Sequence, residues 1–88
     1  MLFRSGQPLA LIDGPMLTLR RTAAASALAA TYLAREDAHH HLMVGTGALA
    51  PHLIQAHAAA RPIGRVTIWG RSRDKAHALA REIGRAHV

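Results

Sequence analysis

The sequence contains no cysteine and only three aromatic side chains, Phe3, Tyr32 and Trp69, among 88 residues. Without cysteine, the chain has neither a disulfide framework nor a zinc ribbon to compensate for a small core. A chain of this length buries only about 60–65% of the surface that its unfolded state exposes. We therefore expect its stability to depend on more chain or on a partner.

Long apolar runs are also absent, although 50% of the residues are hydrophobic. No run approaches the roughly 20 residues that a membrane-spanning helix needs. Residues 1–10 lack the continuous apolar core of a secretory signal peptide. The sequence predicts a soluble, cytoplasmic protein without a membrane partner.

Acidic residues are scarce: five stand against eleven lysines and arginines, which gives a formal net charge of +6. Such a balance raises the question of whether the protein binds nucleic acid. However, the arginines are spread along the chain, and the three aromatic residues stand too far apart to form a base-stacking platform. We interpret the charge as background composition and expect no nucleic-acid partner, with a basic nucleic-acid-binding module as an alternative.

Seven histidines raise the possibility of a metal site. The side chains of the consecutive residues His39, His40 and His41 diverge on a loop or strand. His52 and His57 are five residues apart, whereas side chains on one helical face are three or four apart. With no cysteine and no acid at ligand spacing, we expect no metal site.

The order of local signals predicts an α/β protein. Thr18 is the predicted N-cap of the first helix, which is rich in alanine, and Ser72 or Asp74 is that of the last. The predicted elements are a strand at 8–13, a helix at 19–35, a strand at 42–44, a helix at 48–60, a strand at 66–69 and a helix beginning near 75. The last four elements form a β-α-β-α unit, the opening part of a Rossmann fold with a parallel sheet.

The loop after the second predicted strand carries the motif with chemical meaning. Gly45 permits a tight turn, Gly47 lets the backbone approach a pyrophosphate, and Ala50 allows helix and strand to pack closely. The N–H groups of the following helix and its dipole then favour phosphate charge. The G-x-G-x-x-A loop comprises Gly45, Thr46, Gly47, Ala48, Leu49 and Ala50. This arrangement predicts dinucleotide binding; the alternative is a turn that merely needs glycine.

The end of the next strand indicates which dinucleotide binds. An NAD site usually has an acidic side chain here, for the 2′-hydroxyl of the ribose. This chain instead has Gly70, Arg71, Ser72 and Arg73, with no acid before Asp74. Arginine and serine suit a 2′-phosphate through charge and hydrogen bonds. We expect NADP(H) as the preferred cofactor, with NAD(H) as the alternative.

Taken together, the segments LTLRRTAAASALAATYLAR, LMVGTGALAPHLIQAH and VTIWGR resemble the ornithine cyclodeaminase/mu-crystallin family. The resemblance extends from Gly6 to about Ala80. GTGALAPHLI is most similar to family reductases that act on cyclic imino acids such as Δ1-pyrroline-2-carboxylate. Leu49 stands where glutamine is usual in ornithine cyclodeaminases, so the NAD-dependent ammonia lyase is the second reading. A non-catalytic NADP-binding module is a third.

The resemblance also implies roles for residues and segments. Arg21 matches the active-site arginine of the family's RTAA motif, and Thr22 is implied to assist at the cofactor; the alternative for Arg21 is a solvated helix arginine like Arg20. Residues 1–41 correspond to the end of the substrate and dimerisation domain with its linker helix, and residues 42–88 to the first part of the Rossmann domain. The parent protein is implied to be a homodimeric enzyme with a small imino or amino acid substrate.

The catalytic lysine and aspartate of the family are implied to lie upstream and downstream of this segment. Lys75, the only lysine, lies past the second Rossmann strand and does not match. We therefore expect the 88-residue chain itself to be inactive.

Both ends depart from the family pattern. LFRS near the start and EIGRAHV at the end match translations of the two ends of a common short-read sequencing adapter. We therefore expect residues 1–5 and 82–88 to be non-native. The natural sequence would then run from Gly6 to about Arg81, within a protein several times longer.

Overall fold

A computed structural model describes residues 6–84 and 86–87 as alternating helices and strands. The elements are α1 (Gly14–Leu33), β1 (His40–Val44), α2 (Ala50–Ala60), β2 (Arg65–Trp69), α3 (Arg73–Ile83) and β3 (Ala86–His87). The strands form a parallel sheet in the order β1-β2-β3. The predicted β-α-β-α unit of a partial Rossmann fold is confirmed. The two-residue strand β3 was not predicted and lies in the segment expected to be non-native.

The predicted strand at 8–13 is wrong. These residues have no regular secondary structure, and Leu9, Leu11 and Ile12 are 76%, 102% and 64% exposed. A strand is stabilised by hydrogen bonds to a neighbouring strand, and within the described residues this segment is paired with none of the three. Residues 8–13 thus have the composition of a strand, but among the described residues no neighbouring strand pairs with them.

The predicted N-cap of α1 is also wrong, because the helix begins at Gly14, five residues before its predicted start. The Asp13 carboxylate caps it by accepting a hydrogen bond from the Met16 N–H at 3.4 Å. Pro15 occupies the first turn, where a missing N–H costs nothing. The helix then continues through Thr18 and ends at Leu33.

The core lies on one face of the sheet, under α2 and α3. Ile68 on β2 is fully buried. Its buried neighbours are Ala50 and Ile54 from α2, Val66 from β2, and Ala76 and Leu79 from α3. The strands alternate, so Leu42, Val44 and Trp69 are about 60% exposed, away from that core.

The long helix α1 packs against α2 through small side chains. Ala23 and Ala27 are its buried residues, and their size lets the two helices approach closely. The Ser26 hydroxyl and His57 Nε2 are hydrogen-bonded at 2.9 Å across this contact.

Arg61, at the end of α2, binds the carbonyl groups at the end of α1. Its Nη2 donates to the backbone oxygens of Ala30, Thr31 and Ala34 at 3.3, 3.0 and 3.3 Å, and its Nε donates to that of Arg35 at 3.2 Å. The last carbonyls of a helix carry the negative end of its dipole and mostly lack intrahelical partners, although that of Ala30 also accepts from the Ala34 N–H at 2.9 Å. A guanidinium satisfies both needs and fixes α1 on the sheet unit.

Replacing Arg61 by alanine is expected to lower the free energy of unfolding by about 1–2 kcal/mol, because hydrogen bonds from a charged donor are lost at a partly exposed site. Urea unfolding and hydrogen exchange of the α1 amides measure the effect, with Arg65→Ala at an exposed position as the control. Arg61→Lys should recover only part of the loss, since an ammonium group lacks the planar fork. Equal stability of the Arg61 and Arg65 variants would contradict this role.

The histidines of β1 and α2 pack on one another. The rings of His41 and His57 meet edge to face, with centroids 5.1 Å apart. His40 Nε2 and the Thr67 hydroxyl are hydrogen-bonded at 2.7 Å. Within residues 6–84 and 86–87, no group of three or more histidine, cysteine, aspartate or glutamate side chains could hold a metal ion.

Burial lowers the pKa of His41 below its ordinary value of 6.5, and the charges of His57 and His40 lower it further. Arg61 lines an open cleft together with His41 and His57. The unfolded chain takes up a proton on this side chain near pH 6.5, whereas the folded chain does so only at lower pH. The contribution of His41 to stability is therefore complete above pH 6.5 and is lost as the pH falls through the folded pKa.

We expect His41→Gln to flatten the fall in the free energy of unfolding between pH 7 and pH 5. Urea unfolding across this range measures it, with His77→Gln on the exposed surface of α3 as the control. An unchanged pH slope in the His41 variant would show that other groups cause the dependence.

Within the part of the chain that the structure describes, none of the helices has both the length and the apolar character needed to cross a membrane.

Candidate functional site

The site predicted from the sequence lies where β1 and β2 end. The strands are parallel and Val44 is paired with Trp69, so the loops that follow them emerge at the same edge of the sheet. The Gly45 N–H donates to the Trp69 carbonyl at 2.7 Å and joins the two loops directly. Gly45 has a φ of 118°, a conformation that glycine adopts without strain.

The loop leads into α2 without a capping side chain. Leu49 is the N-cap residue and makes no side-chain hydrogen bond to the helix. The Ala50 N–H donates to the Gly47 carbonyl at 3.1 Å. Ala50, two residues later than the predicted helix start, is 2% exposed in the core, as close packing of helix and strand requires. An uncapped N-terminus at a surface edge presents partial positive charge to an anion.

Gly47 in the loop and Gly70 after β2 differ in the space around them. A Cβ atom placed on Gly47 would meet nothing within 4 Å. A Cβ atom on Gly70 would lie 2.8 Å from Cγ2 of Thr46, which is too close. Gly47 therefore leaves room above the loop, whereas Gly70 makes room for a neighbour within the protein. The open loop and uncapped helix fit the pyrophosphate of a dinucleotide.

The segment after β2 adds positive charge beside this loop. Arg71 and Arg73 are exposed, and neither guanidinium has a hydrogen-bond or ion-pair partner among the described residues. Ser72 is the N-cap of α3, as one of the two predictions had it, and its oxygen accepts from the Lys75 N–H at 3.4 Å. Its hydroxyl proton remains available to donate. The segment can offer both charge and hydrogen bonds to a ligand.

Lys75 is a further cation at the site that the sequence analysis considered only as a catalytic lysine. It lines an open cleft of about 310 Å³ between the loop and α3, together with Thr46, Gly47 and Ala48. Cations in the first turn oppose the helix dipole, so their presence there has a small energetic cost. The sequence could have indicated this role of Lys75, because Lys75 stands three residues after Ser72, in the first turn of the helix.

The structure does not bring Arg21 or Thr22 into contact with the loop. Both are exposed on α1, and the Arg21 side chain has no hydrogen bond or ion pair within the described residues. Its neighbour Arg20 lines a cleft with His52 and Gln55 of α2. This turn of α1 thus lies beside the beginning of α2, at the same end as the glycine loop.

Comparison with known proteins identifies the family. The model of the ornithine cyclodeaminase/mu-crystallin family matches residues 3–88. The chain is 48% identical over 81 residues to a Δ1-pyrroline-2-carboxylate reductase of Colwellia psychrerythraea, a match that covers 90% of this chain and 26% of the relative.

Several solved structures share the fold. The Δ1-pyrroline-2-carboxylate reductase of Thermococcus litoralis, in complex with NADH and L-proline, superimposes with a TM-score of 0.82 at 29% identity, over 98% of this chain and 28% of that one. A lysine cyclodeaminase that recognises L-lysine, L-ornithine and L-2,4-diaminobutyric acid gives 0.80 at 38% identity, over 91% and 23%.

The chain spans about a quarter of the length of the curated relatives that it matches. The family match nevertheless covers both α1 and the sheet unit with its glycine loop. This chain belongs to the ornithine cyclodeaminase/mu-crystallin family.

Proposed function

We propose that residues 6–81 are the lead-in helix and dinucleotide-binding segment of a longer reductase that acts on cyclic imino acids. The observation that carries the proposal is the open Gly47 loop. Gly45 and Trp69 join this loop to Arg71 and Arg73, whose guanidinium groups have no partner among the described residues. The 48% identity to a Δ1-pyrroline-2-carboxylate reductase supports the reaction class. The NADH-bound structure of a relative supports a nicotinamide dinucleotide as cofactor.

NADP(H) is the preferred cofactor in this proposal, and NAD(H) is the alternative. The two guanidinium groups after β2 can neutralise a 2′-phosphate, while the Ser72 hydroxyl can donate a hydrogen bond to it. Asp74 is the only acid in the first turn of α3, after both arginines. The cofactor would supply the hydride, and the residues of this chain would bind and orient the cofactor.

The catalytic groups and most of the substrate pocket would belong to parts of the parent outside this segment. Residues 1–41 then remain assigned to the end of the substrate and dimerisation domain, and residues 42–88 to the Rossmann domain of a homodimer. Residues 1–5 lie outside the described residues, and their adapter origin, like that of 82–88, stays a prediction. A small imino or amino acid remains the proposed substrate.

A cyclodeaminase is the second candidate, favoured by the similarity to a lysine cyclodeaminase. The two activities have different products. The reductase consumes NADPH or NADH with Δ1-pyrroline-2-carboxylate, whereas the cyclodeaminase releases ammonia from a diamino acid such as ornithine. Two alternatives remain: a non-catalytic NADP-binding module, which would bind the cofactor without turnover, and a basic nucleic-acid-binding module, which would bind duplex DNA with a steep salt dependence.

A segment exchange tests the proposal. Residues 6–81 replace the aligned segment of the Colwellia psychrerythraea reductase, to give an enzyme that we call the exchange enzyme. We expect it to reduce Δ1-pyrroline-2-carboxylate, with a higher kcat/KM for NADPH than for NADH. A folded exchange enzyme that binds neither dinucleotide would contradict the proposal, and retained NADPH binding in the presence of excess DNA would count against the nucleic-acid alternative.

A further inference from the structure

The side chain of Thr46 packs over the Cα atom of Gly70. A Cβ atom at Gly70 would lie 2.8 Å from Cγ2, 3.5 Å from Oγ1 and 3.7 Å from Cβ of Thr46. Gly70 is not among the glycines with positive φ, so its backbone conformation is open to other residues. The requirement for glycine at this position is therefore spatial, and the three atoms nearest to the added Cβ all belong to Thr46.

This contact joins the two halves of the candidate site. Thr46 stands between Gly45, which is hydrogen-bonded to Trp69, and Gly47, which leaves open space above the loop. Gly70 directly precedes Arg71. The backbone hydrogen bond and the side-chain contact thus form two adjacent links between the glycine loop and the arginine segment.

We propose that Thr46 and Gly70 form a coupled positioning pair that fixes the distance between the glycine loop and the arginines after β2. The inference rests on the proposed dinucleotide function. The pyrophosphate and the 2′ position of the ribose are the same set of bonds apart in NAD(H) and NADP(H). The spacing of the two protein segments therefore decides whether the arginines reach the 2′-phosphate that only NADP(H) carries. The pair acts through the loop and the arginines, and Gly70 itself need not touch the ligand.

The test is a mutant cycle. Gly70→Ala forces Thr46 aside, and we expect a roughly tenfold rise in KM for NADPH with little change in kcat, as for an overpacked contact. The preference for NADPH over NADH should fall with it. On a Thr46→Ala background only Cβ remains, at ordinary contact distance, so Gly70→Ala should then change KM by no more than about twofold.

Two matched variants isolate the cause. Thr46→Val keeps a methyl group at the crowded position and should leave Gly70→Ala as harmful as in the parent. Gly64→Ala is the control for a glycine change at an ordinary site, since its Cβ meets nothing within 4 Å and its φ is not positive. Kinetics are measured in the exchange enzyme, and thermal unfolding without cofactor is measured there and in the full 88-residue chain.

The expected result is coupling in both measurements: Thr46→Ala, but not Thr46→Val, relieves the effect of Gly70→Ala on Tm and on KM. Additive effects would overturn the proposal. Coupling in Tm with unchanged KM and cofactor preference would also overturn it, because the contact would then be merely structural. Loss of all dinucleotide binding in the unmutated exchange enzyme would instead defeat the proposed function, and the unfolding data would still decide whether the contact exists.

Discussion

Replacing Gly47 by alanine is expected to weaken NADPH binding about a hundredfold while leaving the fold intact. This loss of affinity is at the upper end of what one added methyl group causes in a tight contact. The added Cβ would meet no protein atom within 4 Å, and Gly47 does not have a positive φ. The variant should therefore fold as well as the parent, or slightly better, because alanine reduces the entropy of the unfolded chain. The methyl group would, however, occupy space into which a pyrophosphate approaches the loop.

Fluorescence titration with NADPH and thermal unfolding of the exchange enzyme measure the two halves of this prediction. Gly64→Ala is the matched control: the site is equally open, but it lies before β2, at the opposite end of that strand from the loop. Unchanged NADPH affinity in the Gly47 variant would mean that the open space serves no ligand.

Replacing Arg71 by alanine is expected to lower kcat/KM for NADPH by about a hundredfold and to leave that for NADH within about threefold, since a guanidinium–phosphate pair contributes up to ~3 kcal/mol. The Arg71 side chain is exposed and unpaired within the described residues, so its loss removes no hydrogen bond or ion pair there. NADH lacks the 2′-phosphate and should lose nothing.

Steady-state kinetics with both cofactors test this directly. Arg81→Ala removes an exposed charge from the last turn of α3 and should change neither value. If kcat/KM fell equally for NADPH and NADH in the Arg71 variant, this side chain would contact a portion of the molecule that both cofactors share. The account of NADP preference would then be wrong.

The elements that the sequence predicted well are those with local signals at their ends. Ser72 caps α3, and Pro51 stands in the first turn of α2. The β-branched residues Val66, Thr67 and Ile68 became β2. The strand expected at 8–13 failed because pairing is not local: a short apolar run cannot reveal whether a neighbouring strand exists.

The features of the candidate site also fall into those that the sequence could predict and those that it could not. The glycine loop and the segment 70–73 could be predicted because spacing along the chain and the geometry of parallel strands determine their placement. The contact of Thr46 with Gly70, the cleft beside Lys75 and the carbonyl groups bound by Arg61 could not, since they depend on how separate elements pack. Arg21 was assigned from resemblance, and whether it serves the active site remains a prediction.

A continuous sequencing read across both ends of the source locus tests the central claim most directly. The account predicts that the reading frame extends upstream of Gly6 and downstream of Arg81 into family-like sequence, with a lysine before this segment and an aspartate after it. A native gene that begins at Met1 and ends after Val88 would contradict the account. The chain would then be a small domain in its own right, with binding rather than imino acid reduction as its function.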